Sequence, residues 1–347
     1  MKKSCYSMFI VRSLFFFLFI LISVPAGAED SVVELKYSNF YSSTHPNGML
    51  SEAWCKEIEK RTNGRVKISY FGNNTLAPAT QVYEAVEKGI IDIGQSVLSY
   101  QSIVAAANPR FPLSEVLDFP LGYTSGLQAT KLVNEYYKRF EPVELDNTHI
   151  LYLHAHGPGF LSTNKNVYKI DDIKGLRLLS TKATAGIATM LGAIPVNLSI
   201  VEAHGALSKG IIDGVLLPIS PLKFWKLDEV LKTTVKNHGL SFTHSIFVTM
   251  NKKKWESLPN DIQNIFDAVS EEWIVKQGNS WDNQDKEAEE HLIKSGYKIL
   301  TATPEERAIM KEKMKPLFND YVKKTKAKSL PGDEVVKFCQ NYLASQP

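Results

Sequence analysis

The sequence predicts an α/β protein built from two lobes of similar plan. Strand and helix patterns alternate along most of the chain with short turns between them, which is typical of a largely parallel sheet covered by helices. The pentapeptide KGIID occurs twice, at residues 88–92 and 209–213, each time after an amphipathic run. A repeat at this separation fits two lobes better than a solenoid, whose units recur every ~20 to 50 residues.

The first lobe begins with a predicted strand, a helix and a second strand. Residues 33–43 alternate apolar and polar side chains as a strand does, and residues 49–62 repeat their apolar positions at helical spacing. Asn63 and Gly64 stop that helix, and residues 65–71 alternate again. This order is the repeating unit of an α/β sheet.

Each KGIID copy is interpreted as the end of a helix and the start of a strand. The Lys lies in the last helical turn, where a cation meets the negative end of the helix dipole, and the Gly supplies the left-handed conformation that closes a helix. The pair that follows, Ile90 and Ile91 or Ile211 and Ile212, is predicted to begin a short buried strand. The repeat is therefore scaffold, used once in each lobe.

The rest of the chain continues the alternation and then lengthens into helices. Residues 108–126, rich in Pro, Gly and aromatic side chains, are predicted to form a packed loop that lines a site. Residues 148–157 and 244–251 have strand patterns. A helical pattern from about Pro259 to Ser295 is long enough to span both lobes, and the tail 304–343 is also predicted to be helical.

Residues 1–28 have the layout of a secretory signal. Lys2, Lys3 and Arg12 precede or flank an apolar run, and residues 26–28, Ala-Gly-Ala, precede acidic residues. The run is shorter than the roughly 20 residues of a spanning helix, and retention as an anchor is the alternative. Cleavage removes three cations and no anions, so the formal charge falls from +3 to 0. A neutral chain has no electrostatic footprint for nucleic acid.

The sequence lacks the patterns of the common catalytic and metal sites. Cys5 leaves with the signal, and Cys55 and Cys339 are too few for a disulfide framework, so two buried thiols are favoured. His154 and His156 would face one side of a strand, but they have no third ligand at a spacing suited to zinc. Phosphate loops, nucleophile elbows and dinucleotide fingerprints do not occur, so no metal, cofactor or catalytic residue is predicted.

An exported protein of two similar lobes without a catalytic constellation is expected to be a ligand-binding clamp rather than an enzyme. Its default site is the cleft between the lobes, and its default mechanism is closure about a hinge. The alternative is an exported enzyme that uses His154 and His156 with nearby acids.

Six stretches in a fixed order make the chain resemble the extracytoplasmic solute-binding proteins of tripartite ATP-independent periplasmic (TRAP) transporters, of the dicarboxylate-binding DctP-like family. They are HPNGMLSEAWCKEIEKRTNGRVKISYFGNNTL, AVEKGIIDIG, FPLGY, IDDIKGLRLLST, LGAIPVNLSIVEAHGALSKGIIDG and FVTMNKKKWESLP. The resemblance implies a two-lobe periplasmic binding fold, type II-like, with mixed sheets and a long helix that bridges the lobes. It also implies capture of a small organic solute in the periplasm of a Gram-negative-type bacterium and delivery to a TRAP permease, by a protein expected to be monomeric.

The resemblance also suggests lobe limits. After the signal peptide at 1–28, lobe I is expected at 29–153, completed by about 240–275. Lobe II is expected at 154–239, completed by about 276–345.

Two positions depart from the family pattern. Members usually carry an Arg, which binds the ligand carboxylate, where this chain has Leu179, and a polar ligand contact, usually Asn, where it has Leu217. Stranding a desolvated carboxylate without its bidentate Arg costs on the order of several kcal/mol. Two hypotheses follow. Either Arg177, Arg110 or Lys182 takes over the anion, or the ligand is neutral, cationic or largely apolar, with an aromatic ligand among the options.

The candidate ligand-binding residues combine polar, basic and apolar positions on both expected lobes. They are His45, Leu98, Tyr100, Arg110, Phe119, Tyr123, His156, Arg177, Leu179, Thr181, Leu217 and Trp225. Phe160 and Phe224 are further candidates for aromatic walls.

Overall fold

A computed structural model describes residues 32–102, 110–167 and 170–346. The expected signal at 1–28 lies outside the described residues. The strands are β1 (Val33–Asn39), β2 (Val66–Phe71), β3 (Ile93–Val97), β4 (Thr148–Ala155), β5 (Phe160–Thr163), β6 (Arg177–Ser180), β7 (Ile194–Asn197), β8 (Gly214–Leu217), β9 (Thr233–Lys236), β10 (Ser245–Asn251) and β11 (Lys298–Thr301). The helices are α1 (Pro46–Arg61), α2 (Val82–Glu87), α3 (Gly126–Phe140), α4 (Ala185–Met190), α5 (Ile200–Ser208), α6 (Ser220–Phe224), α7 (Lys252–Glu256), α8 (Asn260–Lys294), α9 (Pro304–Lys326) and α10 (Gly332–Ser345).

The first sheet has the strand order β2-β1-β3-β10-β4. Its strands β1, β2 and β3 run parallel, as their alternation with α1 and α2 predicts, whereas β10 pairs antiparallel with both β3 and β4. β10 comes from the distant residues 245–251 and is inserted between β3 and β4. The sheet is therefore mixed, which confirms the prediction of mixed sheets.

The second sheet has the order β11-β9-β5-β8-β6-β7 and is also mixed. β6, β7 and β8 are parallel, and β5 pairs antiparallel with both β8 and β9. β8 reaches the middle of the sheet directly after the second KGIID copy. Two separate sheets of this kind confirm the two-lobe fold.

The two KGIID copies form the same turn, but the strand starts later than the sequence predicts. Gly89 and Gly210 have φ of 70° and 63°, the left-handed values expected of a helix stop. The amides of Ile90 and Ile211 then donate to carbonyls of the preceding helix, those of Ala85 and Ala206, at 2.9 and 2.8 Å.

These bonds still belong to the helix end, so neither Ile pair can begin a strand. The first Ile of each copy is exposed, 67% for Ile90 and 50% for Ile211, while the second is buried. β3 and β8 start only after the Asp that ends each pentapeptide, at Ile93 and Gly214. The expectation of a strand beginning at the Ile pair is wrong, because the chain first has to satisfy the open carbonyls of the helix.

The long helix is confirmed. α8 runs over 35 residues, with Pro259 as its N-cap and Ser295 as its C-cap. At ~1.5 Å per residue it is about 50 Å long. Its first half packs Phe266 and Trp273 into the core around β1, β2 and β10, and its second half places Trp281 and Leu292 in the cluster that contains β8 residues. α8 therefore bridges the two sheets.

The last helix, α10, packs against α3, and its Val335 and Cys339 join the core that also holds α3 side chains. The lobe limits, with residues 276–345 expected to complete lobe II, stay a prediction. Cys339 and Cys55 are both buried free thiols in different core clusters, as the sequence predicts.

Within the described ranges, every helix is too short or too polar to cross a bilayer.

Candidate functional site

A cavity lies where matching edges of the two sheets meet. β1, β3 and β4 end at this edge of the first sheet and β10 begins there, while β6, β7 and β8 end at the facing edge of the second. Ligands of open α/β sheets bind at the carboxyl ends of strands, because loops of several strands converge there. The cavity measures about 450 Å³ including its opening to solvent.

Both sheets and α8 contribute to its walls. The first sheet and its loops supply Phe40, Tyr41, His45, Val97, Tyr100, His156, His244 and Ile246. The second supplies Ile200, Leu217, Pro218, Ser220, Pro221 and Trp225, and α8 adds Trp281 and Gln284.

Four aromatic rings lie against Tyr41. Its ring stacks on His45 with centroids 4.5 Å apart, and its centroid lies 6.4 Å from those of both Trp225 and Trp281. The centroid of the Phe40 ring lies 4.1 Å from that of Tyr41. All five side chains also line the cavity, so much of its wall is aromatic.

A hydrogen-bond chain of two histidines and a threonine links the two sheets. Nδ1 of His156 lies 2.6 Å from the carbonyl of Gly157, Nε2 of His156 lies 2.8 Å from Nδ1 of His244, and Nε2 of His244 lies 3.3 Å from the hydroxyl of Thr181. Because a carbonyl can only accept, His156 donates from Nδ1 and accepts at Nε2, His244 donates from Nδ1, and Thr181 donates to His244. Both ring nitrogens of His156 and both of His244 therefore have a partner.

Burial keeps these imidazoles neutral. It lowers the pKa of His156 to about 4, although the bond to Gly157 acts in the other direction. Burial also lowers the pKa of His244 well below its ordinary value, and His156 adds to that shift. His45, whose Nδ1 accepts the amide of Asn47, has its pKa lowered to about 4 by burial as well. All three rings are uncharged at neutral pH.

Two polar atoms in the wall have no hydrogen-bond partner among the described residues. They are Oε1 of Gln284 and Oγ of Ser220, both on side chains that are almost fully buried. Nε2 of Gln284 lies 2.9 Å from Oδ1 of Asn47 and 3.0 Å from Oγ of Ser280. Nδ2 of Asn47 also has no partner among the described residues, so the same contacts form when both amides are turned over.

The described part of the cavity wall contains no Lys, Arg, Asp or Glu. Leu217 lies in the wall, and Leu179, 1% exposed, belongs to the same apolar cluster. The two positions at which the family pattern calls for polar contacts are therefore built into apolar packing.

The three cations proposed to replace the Arg of the family pattern lie outside the cavity wall. Arg177 binds Asp213 through Nε and Nη2, at 3.0 and 3.1 Å, and its side chain is 42% exposed. Arg110 pairs with Glu87 and covers the ring of Tyr83. Lys182 lines a neighbouring groove rather than the cavity. The structure therefore places none of the three where it could meet a solute in the cavity.

The other sequence candidates divide into two groups. The cavity brings together His45, Tyr100, His156, Leu217 and Trp225, with Thr181 behind His244. Leu98 lines the neighbouring groove together with Lys182. Phe119 and Tyr123 are buried in the core around α3, where Phe119 contacts Phe318 and Tyr123 donates to the carbonyl of Leu117. The described part of the loop predicted at residues 108–126 is therefore packed, as the sequence predicts, but Phe119 and Tyr123 belong to the core and not to the cavity wall. Phe160 lies against His238 outside the cavity, and Phe224 lies 5.6 Å from His45.

Several wall residues were not predicted from the sequence. Tyr41 follows a strand without any distinguishing motif, and His244 precedes one. Trp281 and Gln284 are three residues apart on α8, so they share a helix face, and this spacing is the signal that could have indicated them.

Of the two histidines proposed for catalysis, His156 lies in the cavity wall and His154 lies in the packed interior. His154 is fully buried, accepts Nε1–H of Trp281 at 3.0 Å, and has its pKa lowered to about 3 by burial. His149 stacks on Trp255 at 3.7 Å. In the described ranges, no three His, Cys, Asp or Glu side chains are placed to hold a metal ion.

Comparisons with known proteins agree with this architecture. The C4-dicarboxylate-binding periplasmic protein DctP of Rhodobacter capsulatus is 27% identical over 321 residues, which cover 89% of this chain and 92% of that protein. A TRAP solute-binding protein from a marine metagenome, specific for aromatic acid ligands and solved with 3-hydroxybenzoate, is 26% identical with a TM-score of 0.83, over 90% of this chain and 98% of that one. A TRAP periplasmic solute-binding protein of Desulfovibrio salexigens is also 26% identical, with a TM-score of 0.77 over 90% and 96%.

The relatives named above are binding proteins, and the comparisons give no support to the alternative of an exported enzyme. A family profile described as bacterial extracellular solute-binding protein, family 7, matches residues 37–325, which is most of the chain. The protein therefore belongs to that family, the DctP-like solute-binding proteins of TRAP transporters.

Proposed function

We propose that this protein captures a compact aromatic solute in the cavity between its two sheets and delivers it to the membrane permease of a TRAP transporter. The observation that carries this proposal is the set of rings around Tyr41, which comprises His45, Trp225, Trp281 and Phe40. The metagenome relative specific for aromatic acids provides independent support.

The walls are suited to hold a ring by burial and by ring contacts. A solute that buries ~150 Å² of apolar surface gains roughly 4 kcal/mol at about 25 cal/mol per Å². Well-placed ring contacts add about 0.5–1.5 kcal/mol each. Micromolar capture requires roughly 8 kcal/mol net, so hydrogen bonds that fix the orientation of the solute have to add to burial and ring contacts.

Capture is expected to close the two lobes about a hinge that includes α8. α8 contacts both sheets, and two of its side chains, Trp281 and Gln284, line the cavity. A solute that contacts both walls favours the closed arrangement by its extra contacts there. The protein then acts as a monomer in the periplasm, after removal of the signal predicted at residues 1–28, and the closed form docks on the permease.

The test combines identification of the bound compound with a matched pair of Trp variants. The full chain is expressed with its signal, purified from the periplasm, and examined by native mass spectrometry for a co-purified compound. Titration calorimetry then measures the affinity for that compound. Trp225 lines the cavity and Trp255 does not, while both are half-buried. Trp225→Ala should weaken binding at least tenfold, whereas Trp255→Ala should leave it within twofold.

A co-purified compound without an aromatic ring, equal effects of the two variants, or conversion of the compound to a product would contradict the proposed function. Small-angle scattering provides a second check, because addition of the compound should make the protein more compact.

A further inference from the structure

We infer that the solute is an aromatic acid and that His45 binds its carboxylate through Nε2, in place of the Arg of the family pattern. This inference rests on the proposed function and deepens it, because it names the substrate class and the residue that recognises its charge. It makes His45 a specificity-determining residue of the site.

The first step is the position of the His45 ring. His45 is the N-cap of α1, and its Nδ1 accepts the backbone amide of Asn47 at 3.2 Å. The ring stacks on Tyr41, and its centroid lies 5.6 and 5.9 Å from those of Phe224 and Trp225 at the end of α6. Turning the ring over would leave the amide of Asn47 without this acceptor, so the cap fixes the orientation of the ring.

The second step is the proton that the ring can donate. Because Nδ1 accepts, a neutral imidazole carries its proton on Nε2. Nε2 of His45 has no hydrogen-bond partner among the described residues, and unlike Oγ of Ser220 it keeps accessible surface. His156 and His244 differ, since both nitrogens of each ring are engaged. His45 is therefore the cavity histidine with a donor left for an oxygen of the solute.

The third step concerns charge. Burial lowers the pKa of His45 to about 4, so the ring is neutral in the empty site. A carboxylate that accepts from Nε2 raises this pKa again, because an opposite charge within ~4–6 Å favours the charged form. The face of Tyr41 then stabilises the imidazolium by a cation–π contact. Tyr100 and Trp225 can also donate from the wall, but neither can take up a proton. His45 thus acquires, on binding, the positive charge that the wall lacks at Leu179.

Other ionisable groups near the site titrate alike in the parent and in a variant of His45. On the elements packed against the ring, Glu52 lies on α1, and Lys223 of α6 is paired with Glu287 of α8. None of these three contributes to the pKa of His45, which burial lowers. Two buried carboxyls bonded to the backbone beside the wall, with pKa values raised to about 7, are those of Asp118 and Asp285.

The experiment compares aromatic acids with their primary amides on the full mature chain. The pairs are benzoate and benzamide, and 3-hydroxybenzoate and 3-hydroxybenzamide, titrated by calorimetry at pH 7.5. Each acid should bind at least tenfold more tightly than its amide, because only the acid recruits a charge on His45. An amide that binds as tightly as its acid overturns the inference.

Matched variants isolate His45. His45→Phe keeps a ring on Tyr41 but removes the donor, so it should weaken binding of the acid at least tenfold and binding of the amide by no more than twofold. His149→Phe is the control, because His149 also stacks on an aromatic ring, that of Trp255, but lies outside the cavity. The control should leave both affinities within twofold. Equal losses in the two variants, or equal losses of acid and amide in His45→Phe, overturn the inference.

Circular dichroism establishes that the variants are folded. If His45→Phe is not, His45→Asn takes its place, because Asn is a favoured N-cap residue that cannot take up a proton. The same loss for the acid is expected.

The pH dependence provides a second readout. Since the complex holds a proton on His45 more tightly than the empty site does, the affinity for benzoate should rise as the pH falls from 8 to 6. This rise should be at least threefold larger in the parent than in His45→Phe. Equal pH profiles in the two proteins overturn the inference.

If no probe binds, the co-purified compound replaces the probes. An aromatic compound without an acid group overturns this inference and leaves the proposed function standing. A compound without a ring overturns the proposed function, and its titration against His45→Phe still decides the role of His45. An aromatic acid whose binding depends on His45 supports both.

Discussion

The cavity wall and the strands and loops around it differ in their content of charged side chains. Inside, three histidines are neutral and the described wall has no charged side chain. A few residues away along the same strands and loops, Arg177 pairs with Asp213, and Lys182 lines a groove with Glu115 and Asp118. Charges are plentiful near the site but are placed where water or a partner can stabilise them. The contrast shows that the neutrality of the cavity is a property of the site rather than of the surrounding protein.

The most direct test of this difference in charge places a cation within the apolar cluster beside the cavity. Leu179→Arg puts a guanidinium among Leu217 and the other apolar side chains of that cluster. We expect a loss of about 3–5 kcal/mol in the free energy of unfolding. Urea denaturation measures it, and Ile293→Arg, at a position 64% exposed on α8, is the control that should change little.

Leu179→Arg also tests whether the site beside the cavity is apolar. The variant should not gain affinity for the co-purified compound, because a buried guanidinium without a partner costs free energy. A variant that stays as stable as the parent and binds benzoate tightly would show that the cluster admits a charge.

The next prediction uses pH to charge the buried histidines. The folded state lowers the pKa of His154 to about 3 from 6.5, so the unfolded chain binds more protons between these values. The contribution of neutral His154 to stability is therefore complete above about pH 6.5 and falls as the pH drops toward 3. The slope for one such group is at most ~1.4 kcal/mol per pH unit.

His154→Gln isolates this effect. The amide oxygen can still accept from Trp281, but the side chain does not titrate. The unfolding free energy of the variant, measured in urea between pH 7 and pH 4, should decline less steeply than that of the parent. Equal slopes would mean that His154 is not held neutral by burial.

The smallest effect is expected outside the cavity. Arg177→Ala removes a cation that is engaged with Asp213, so the affinity for the co-purified compound should stay within twofold of the parent. Its thermal midpoint should fall by no more than about 2 °C, because the buried Asp213 keeps its bonds to Lys165 and to the backbone amide of residue 177. Lys209→Ala, at an exposed cation of the second KGIID turn, is the control. A tenfold loss of affinity for Arg177→Ala alone would make Arg177 a ligand anchor.

Much of the fold was readable from local patterns. The KGIID turns were recognised because a Gly after an amphipathic run fixes the backbone locally, and α8 because its pattern persists between Pro259 and Ser295. The delayed start of β3 and β8 was not readable, since it depends on which carbonyls of the preceding helix remain open. The equivalent contacts of the two KGIID Asp residues could not be predicted either. Asp92 accepts the backbone amide of Lys36, and Asp213 accepts that of Arg177; Lys36 and Arg177 each lie on the neighbouring parallel strand.

The site was only partly readable. Five of the predicted residues meet in the cavity because they follow strand ends, where loops converge. Arg177 and Arg110 were plausible by type, but their partners, Asp213 and Glu87, lie 36 and 23 residues away in sequence. The sequence shows which side chains carry charge, whereas the tertiary structure decides which of those charges are already paired.

The sequence by itself determined the class of fold, the helix stops, the bridging helix and the loss of two polar contacts at Leu179 and Leu217. These are local or positional properties, set by backbone conformation and residue type. Only the tertiary structure decided that the cavity histidines are neutral and that Arg177 is paired with Asp213. Burial and the completion of hydrogen bonds set these properties, and both depend on groups that are distant in the chain.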